Sequence, residues 1–476
     1  MVMGELTEQT ELLVVGGGPG GYAAAFRAAD LGMEVAMVDV EPRPGGECLF
    51  RGCIPSKTLL HLADIIHSAL RSQKMGITFG KPEIDLERVR SWKDEVINDM
   101  ADGLVTLCRK RGVQLVRGRA VFEGSNLVRL RDSDIRRIKF KHAIVATGSK
   151  TQTLPDISIR KGGRIMDSDG ALDMADIPER LLVIGGGYVA LELGTVYASL
   201  GSRVTLAVRS DTLLRGADPD LVVPLSRRLK EMFEKIYMNT RARSMKEGDS
   251  RVEVVLEGGV EEKNQTFDRV LVAVGRQANS SELGLENTSV KVNEKGYIVV
   301  DDRQRTSDEK IYAIGDVAGG PLLAHKAFRE GKVAAEVIKG EPSAYDVQAM
   351  PAVVYTDPQI AWCGLTESQA RRQKRNVRVE RFPWKFSGRA TSMGARDGLT
   401  KMLIDPETER ILGVGIVGHD TEGLIAEGVL AVEMGAVASD VALSVHPHPT
   451  LTETLQETAE RFLGSSTHIL PGKKGE

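Results

Sequence analysis

Two stretches of this chain repeat one pattern. LLVVGGGPGGYAAAFRAADLGMEVAMVD, residues 12–39, and LLVIGGGYVALELGTVYASLGSRVTLAV, residues 181–208, each carry an apolar β-branched run, a glycine turn, an Ala/Leu-rich helical stretch, a Leu-Gly stop and a second apolar run. That is a strand-helix-strand unit, written twice. A glycine turn between strand and helix opens a doubly wound dinucleotide-binding domain, so the expectation is an α/β chain with two Rossmann-like domains and two dinucleotides. At 476 residues the chain is too long for one core, and domains of about 100–200 residues leave room for three or four units.

The strand ends KFKHAIVATGSK, FDRVLVAVGRQAN and KIYAIGDVAGG place the boundaries. They suggest one dinucleotide domain over 1–150, a second over 151–275, and a central segment over 276–347 returning to the first. From about Pro351 the pattern turns to strands (KMLIDP, ILGVGIVG) and an amphipathic helix, TEGLIAEGVLAVEMGA, which predicts a final α+β domain over 348–476. PGKKGE at the C-terminus reads as a loose tail.

Composition narrows the partners. With 63 basic and 66 acidic residues, a net charge of -3 provides no long-range field for nucleic acid or acidic lipid. MVMGELTEQTELLVV lacks the pattern of a signal peptide, and no run approaches the roughly 20 apolar residues of a membrane span. A soluble, cytoplasmic protein is expected. Four cysteines cannot form a stabilising framework in so long a chain, so any pair that oxidises in a reducing compartment is read as catalytic. Cys48 and Cys53 form that pair, whereas Cys108 and Cys363 have no partner at metal-ligand spacing and read as packing residues. No metal site is expected.

In the first unit Gly16, Gly18 and Gly21 form G-x-G-x-x-G, where bare backbone lets a pyrophosphate approach a helix N-terminus. Asp39 ends the second strand and can accept hydrogen bonds from an adenosine ribose. GGECLFRGCIPSK follows at once. An ideal helix would hold residues five apart at or beyond the roughly 7 Å Cα limit of a disulfide, so the chain must be irregular there. Pro55 supports a helix start, where the dipole stabilises a thiolate and suits reversible exchange.

The run from Gly45 to Lys57 resembles the redox motif of the pyridine nucleotide-disulfide oxidoreductases, and most of all their dihydrolipoamide dehydrogenase group. The likeness continues through Ala146-Thr147-Gly148, the AIGD turn ending at Asp316, LAHKA from Leu323, and YTDPQIAWCGLTE from Tyr355. What it implies is an FAD enzyme in which Gly46, Thr147, Gly148, Asp316 and Ala324 border the flavin and Lys57 pairs with Glu192 beside it. Cys48 would exchange with the substrate and Cys53 would face the flavin. VHPHPTLTETLQE resembles the family's His-Glu dyad, so His448 is implied as the base and Glu453 as its orienting carboxylate. An imidazole titrates in the range needed to deprotonate a thiol. His446 is given no chemical role. In relatives the dyad serves the partner subunit's active site, which implies a homodimer whose C-terminal domain dimerises.

The second unit departs from this picture. Gly185, Gly187 and Ala190 replace the third glycine with alanine, and the 23-residue step from Gly16 to Asp39 lands, from Gly185, on Val208. The carboxylate that reads a ribose 2′-hydroxyl is missing, and Arg209 and Arg215 could instead hold a 2′-phosphate. The pair resembles the NADP-binding arginines of glutathione reductase, and Tyr188 its nicotinamide-gating tyrosine. Gly275 is placed with this site. NADP is therefore preferred over NAD, with solvated surface arginines as the alternative. Glu47, Phe50 and Arg51 also depart from the group. Arg51 either tunes a thiolate or entrance, or simply pairs with Glu47.

The expected activity is oxidation of a protein-bound dihydrolipoyl group through Cys48-Cys53 and FAD to reduce NAD(P)+. An NADPH-dependent disulfide reductase is the rival enzyme, and a structural subunit of a lipoyl complex the rival from another class.

Overall fold

The computed structural model describes residues 7–155 and 157–470; the N-terminal MVMGEL and the expected tail PGKKGE lie outside the described residues. Its organising strand is Thr7–Val15, paired in parallel with Val35–Asp39 on one side and Arg137–Val145 on the other. Leu12, Leu13 and Val14 are 0% exposed, which is why this run is continuously apolar rather than alternating. Each such burial contributes about 2 kcal/mol. Three further strands and the returning Ile311–Ala313 complete a seven-stranded sheet.

Helix α1 (Pro19–Asp30) lies on this sheet through Ala24, Ala25 and Ala28. After the second strand come a short helix α2 (Gly46–Arg51), the long α3 (Cys53–Ser72) and α4 (Leu86–Lys110). The second unit opens with strand Ile165–Met166 and α5 (Ser168–Leu172) and builds a five-stranded parallel sheet in which Arg180–Ile184 is followed by α6 (Tyr188–Ser199) and Arg203–Ala207. Helix α7 (Pro219–Met232) follows. A three-stranded antiparallel meander, Thr240–Phe267, is added to this unit. Where the chain leaves and re-enters the first unit, Ser149–Thr151 and Arg276–Ala278 pair as an antiparallel ribbon. Helix α8 (Ala324–Lys339) then packs on α1 so tightly that a Cβ on Gly331 would lie 2.5 Å from the Gly20 carbonyl oxygen.

The final unit is a five-stranded antiparallel sheet covered by Thr421–Glu433 and Glu453–Leu463. At its centre Trp384 is fully buried and donates to Thr400 Oγ1 at 2.9 Å. An ion cluster ties this unit to the second: Lys401 Nζ lies 2.7 Å from Asp218, 2.7 Å from Asp220 and 2.8 Å from Glu367. These carboxylates are close enough to hold a metal, but the Lys401 ammonium stands among them. Among the described residues no helix is long and apolar enough to cross a membrane.

Candidate active site

Cys48 lies inside α2 and Cys53 opens α3, with Gly52 (φ -140°, ψ -108°) breaking the helix between them. The break is the irregularity that a five-residue spacing requires, and it places two free thiols on one cleft. The neighbouring Cys48 thiol, with Lys57 adding, outweighs burial and holds the Cys53 pKa below the ordinary thiol range. The same pairing, with burial, pushes the Cys48 thiol far up. Cys108 and Cys363 are 1% and 0% exposed, in core positions as expected.

One turn into α3, Lys57 Nζ lies 2.8 Å from Glu192 Oε2, a carboxylate on α6 that is 2% exposed. The other oxygen, Oε1, accepts the Tyr355 backbone N–H at 3.0 Å, and the ammonium sits 4.6 Å from the Tyr355 ring centroid. Burial opposes the charge on Lys57, but Glu192 outweighs it and the pKa is raised. Sequence reasoning missed Tyr355 as part of this pair, although the YTDP run had marked the segment.

The thiols and this ion pair open on one elongated cleft. Gly16, Gly18, Asp39, Gly46, Cys48, Cys53, Lys57, Thr147, Gly148, Asp316 and Ala324 all line it. Tyr188, half-exposed at the start of α6, reaches the same cleft. Asp39 accepts from the Gly17 amide and, at 2.8 Å, from Glu41 N. Asp316 accepts from Ser149 Oγ at 2.5 Å. Gly21 does not line the cleft; a Cβ there would lie 1.8 Å from the Gly16 carbonyl oxygen, so its role is to close the turn. Helix α1 starts without a side-chain cap, leaving its N–H groups to an anion.

In the second unit Gly185 takes φ +138° and a Cβ would meet the Ala273 carbonyl at 2.2 Å. Gly187 precedes α6, Ala190 is fully buried, and Gly275 takes φ +139°. Val208 stands where Asp39 stands in the first unit. Arg209 and Arg215 are exposed, and neither has an ion-pair partner among the described residues. Neither lines the cysteine cleft.

His448 Nδ1 lies 2.8 Å from Glu453 Oε1, while Glu453 Oε2 accepts Thr450 N at 2.7 Å. Its side chain is 70% exposed and is not part of the cysteine cleft of its own chain. His446 is bonded instead to Glu427 at 2.8 Å; burial opposes its charge, but that carboxylate raises its pKa.

Arg51 pairs with Glu41 at 2.7 Å, Glu47 at 3.4 Å and Asp169 at 3.6 Å, so Glu47 is one of three carboxylates around it. The cation that lowers Cys53 is Lys57. Phe50 packs beside Leu49 and Ile97. Burial, with Glu47 and Asp167 adding, pushes Asp169 up to about 7. Arg276, another residue missed from sequence, bonds Glu47 at 2.9 Å and Ser149 Oγ at 2.8 Å.

The model of the pyridine nucleotide-disulphide oxidoreductases matches residues 10–331, and that of their dimerisation domain residues 350–459. The dihydrolipoyl dehydrogenase of Geobacillus stearothermophilus is 42% identical over 471 residues, covering 99% of this chain and 100% of the relative. The enzyme of the same name from Buchnera aphidicola of Schizaphis graminum is 41% identical, covering 98% of each. Among solved structures, LpdA from Mycobacterium tuberculosis superposes with a TM-score of 0.87 at 25% identity, over 95% of this chain and 99% of that one. The HOCl-induced flavoprotein disulfide reductase RclA from Escherichia coli gives 0.84 at 26%, over 94% and 99%. The chain therefore belongs to the pyridine nucleotide-disulphide oxidoreductase family, as an FAD-dependent enzyme of its dihydrolipoyl dehydrogenase branch.

Proposed function

We propose that the chain works as a homodimer which oxidises a protein-bound dihydrolipoyl group at Cys48 and Cys53, with His448 of each subunit serving the other's cleft. The observation that carries this reading is the placing of Cys48 and Cys53 on one cleft with Lys57-Glu192, together with an outward-facing imidazole held by Glu453. With Nδ1–H given to the carboxylate, Nε2 is free to take a proton.

In the forward direction one substrate thiol loses its proton to His448. Its sulfur attacks Cys48 of the oxidised pair, and Cys53 leaves as a thiolate stabilised by Lys57 and the start of α3. The second substrate sulfur, once deprotonated, attacks the mixed disulfide. The substrate departs as a disulfide, Cys48 takes up a proton, and two electrons remain on the enzyme dithiol. FAD supplies the relay that passes this electron pair to a nicotinamide nucleotide as hydride. The cleft suits it: Asp39 for the adenosine ribose, bare Gly16 and Gly18 at α1 for the pyrophosphate, and Gly46, Thr147, Gly148, Asp316 and Ala324 along the flavin side. The Ser149–Arg276 ribbon supports division of the chain near 150 and 275, with a return segment to 347 and an interface domain beyond it.

For the second nucleotide, Gly185, Gly187 and Ala190 form the turn, Tyr188 and Glu192 border the nicotinamide end, and Gly275 lies opposite. Two unpartnered arginines at the strand end, with Val208 in place of a carboxylate, favour NADP. The test is anaerobic reduction of the holoenzyme by dihydrolipoamide, followed by NAD+ or NADP+ in parallel. Faster reoxidation by NADP+ is expected; a kcat/KM favouring NAD+ by about tenfold or more overturns the NADP reading. A flavin that stays oxidised with dihydrolipoamide but is reduced by NADPH makes the enzyme a reductase for another disulfide.

A further inference from the structure

Helix α2 carries Cys48 but has little backbone of its own to hold it. It is six residues long, its N-cap Gly45 takes φ +147° without a side-chain cap, Gly46 takes φ +59°, and Gly52 ends it. Only Leu49 is buried. A helix this short is marginal without tertiary anchors. Beside the packing of Leu49 and Phe50 against Ile97 and Ala101, the anchors are ionic. Glu47 and Arg51, one turn apart and flanking Cys48, are each gripped by groups on other segments. Arg276 Nη2 donates to Glu47 Oε1 at 2.9 Å and to the Ser149 carbonyl at 2.8 Å, while its Nε donates to Ser149 Oγ, the hydroxyl that itself donates to Asp316. Arg51 reaches Glu41 beyond the first unit's second strand and Asp169 on α5 of the second unit. Arg276 is only 17% exposed at its side chain, so its arm of the network is partly desolvated, whereas Arg51 is 39% exposed.

We infer that Glu47, Arg51 and Arg276 are positioning residues for Cys48: they clamp α2 between the inter-domain ribbon and α5, and so fix the Cys48 sulfur against Cys53. The inference rests on the redox role of the two cysteines proposed above. Arg276 acts through Glu47, and Asp169 and Glu41 through Arg51. The clamp also joins the dithiol helix to Ser149 and Asp316, which line the same cleft, in one hydrogen-bonded frame.

The test uses the full-length holoenzyme of the parent, Glu47→Ala, Glu47→Gln and Arg51→Met, with flavin content measured first. Each is reduced with whichever of NADH and NADPH reduces the parent flavin faster, and the alkylation rate of Cys48 by iodoacetamide is followed by peptide mass. A freed helix loses the Cys48–Cys53 contact, so in Glu47→Ala the alkylation rate of Cys48 changes at least about fivefold and reduction by dihydrolipoamide slows about tenfold. Glu47→Gln, which keeps an acceptor for Arg276, restores most of both rates, and Arg51→Met shifts them in the same direction by less. Oxidation of that same nucleotide by ferricyanide, which bypasses the dithiol, stays within about twofold of the parent. Alkylation within twofold of the parent in both Glu47→Ala and Arg51→Met overturns the inference. A parallel loss of ferricyanide activity or of bound flavin also overturns it, because the network then serves the cofactor and not Cys48. If dihydrolipoamide fails to reduce even the parent, the substrate reading falls, while the alkylation rates still decide the role of the clamp.

Discussion

The two strand-helix-strand units are the same device set for different ligands. In the first, Gly17 donates to Asp39, whose carboxylate lies 3.0 Å from where a Gly17 Cβ would be. In the second, the equivalent Gly186 Cβ would sit 2.6 Å from a Val208 methyl. One unit presents a hydrogen-bonding carboxylate beside its glycine turn; the other presents a hydrocarbon wall, with Arg209 and Arg215 exposed beyond it. The helices differ as well. Seven residues after the first glycine, α1 carries buried Ala23, where α6 carries Glu192, the partner of Lys57. The glycine turn is thus common to both units, while single residues at the strand end and on the helix differ in the groups they present.

The sharpest break of this comparison lies at the third turn position. A Cβ on Gly21 would fall 1.8 Å from the Gly16 carbonyl oxygen, whereas the second unit already holds Ala190 there, fully buried. Gly21→Ala is therefore expected to yield protein with little bound flavin, since overpacking of about 1–3 kcal/mol falls on the turn that meets the pyrophosphate. Flavin absorbance per chain after gel filtration measures it; a full complement of FAD would mean that the two turns are interchangeable. Asp39→Val, which copies the second unit into the first, should weaken FAD binding by about 10–100-fold, the loss of charge-assisted hydrogen bonds worth roughly 1.5–3 kcal/mol. Titration of the apoprotein with FAD checks this, and unchanged affinity would assign Asp39 to the turn alone.

These contrasts were legible because the residues involved lie close together in sequence. A glycine turn, its helix and the acidic strand end fall within 28 residues, and His448 and Glu453 within one turn of chain. The core of the site was readable for the same reason, apart from Lys57-Glu192, which only the resemblance joined across 135 positions. What stayed invisible depends on tertiary closure. Arg276 meets Glu47 across 229 positions and Tyr355 meets Glu192 across 163, and nothing in either local pattern marks the partner. Lys401 lies in a strand that reads as ordinary, yet it is 1% exposed and draws carboxylates from two other segments. The meander from Thr240 was missed because its exposed alternation is weak, as TRARSMKE shows.

Reversing the exchange in the second unit should have a moderate effect. Val208→Asp with Arg209→Ser gives that turn the carboxylate of the first, so the ratio of kcat/KM for NADP+ over NAD+ should fall by about tenfold or more, the scale of one lost arginine-phosphate contact. A ratio unmoved in the double variant would show that these two positions do not read the ribose, and Arg215→Ser would then be measured against the same ratio.

The smallest expected effect comes from making the second turn a full G-x-G-x-x-G through Ala190→Gly. Ala190 Cβ lies 3.3 Å from the position of a Gly185 Cβ, and Gly185 at φ +138° has no such atom, so alanine fits here without the collision that excludes it at Gly21. Its removal takes a methyl from a fully buried site and places glycine inside the first turn of α6, each worth about 1 kcal/mol. Nothing that touches the nucleotide is lost. Thermal unfolding should therefore move down by a few degrees while kcat/KM for the preferred nucleotide stays within about twofold. If instead nucleotide affinity rose strongly with the added glycine, the alanine would be a steric limit on pyrophosphate approach, and the two units would differ in how close they admit a phosphate as well as in how they recognise the ribose.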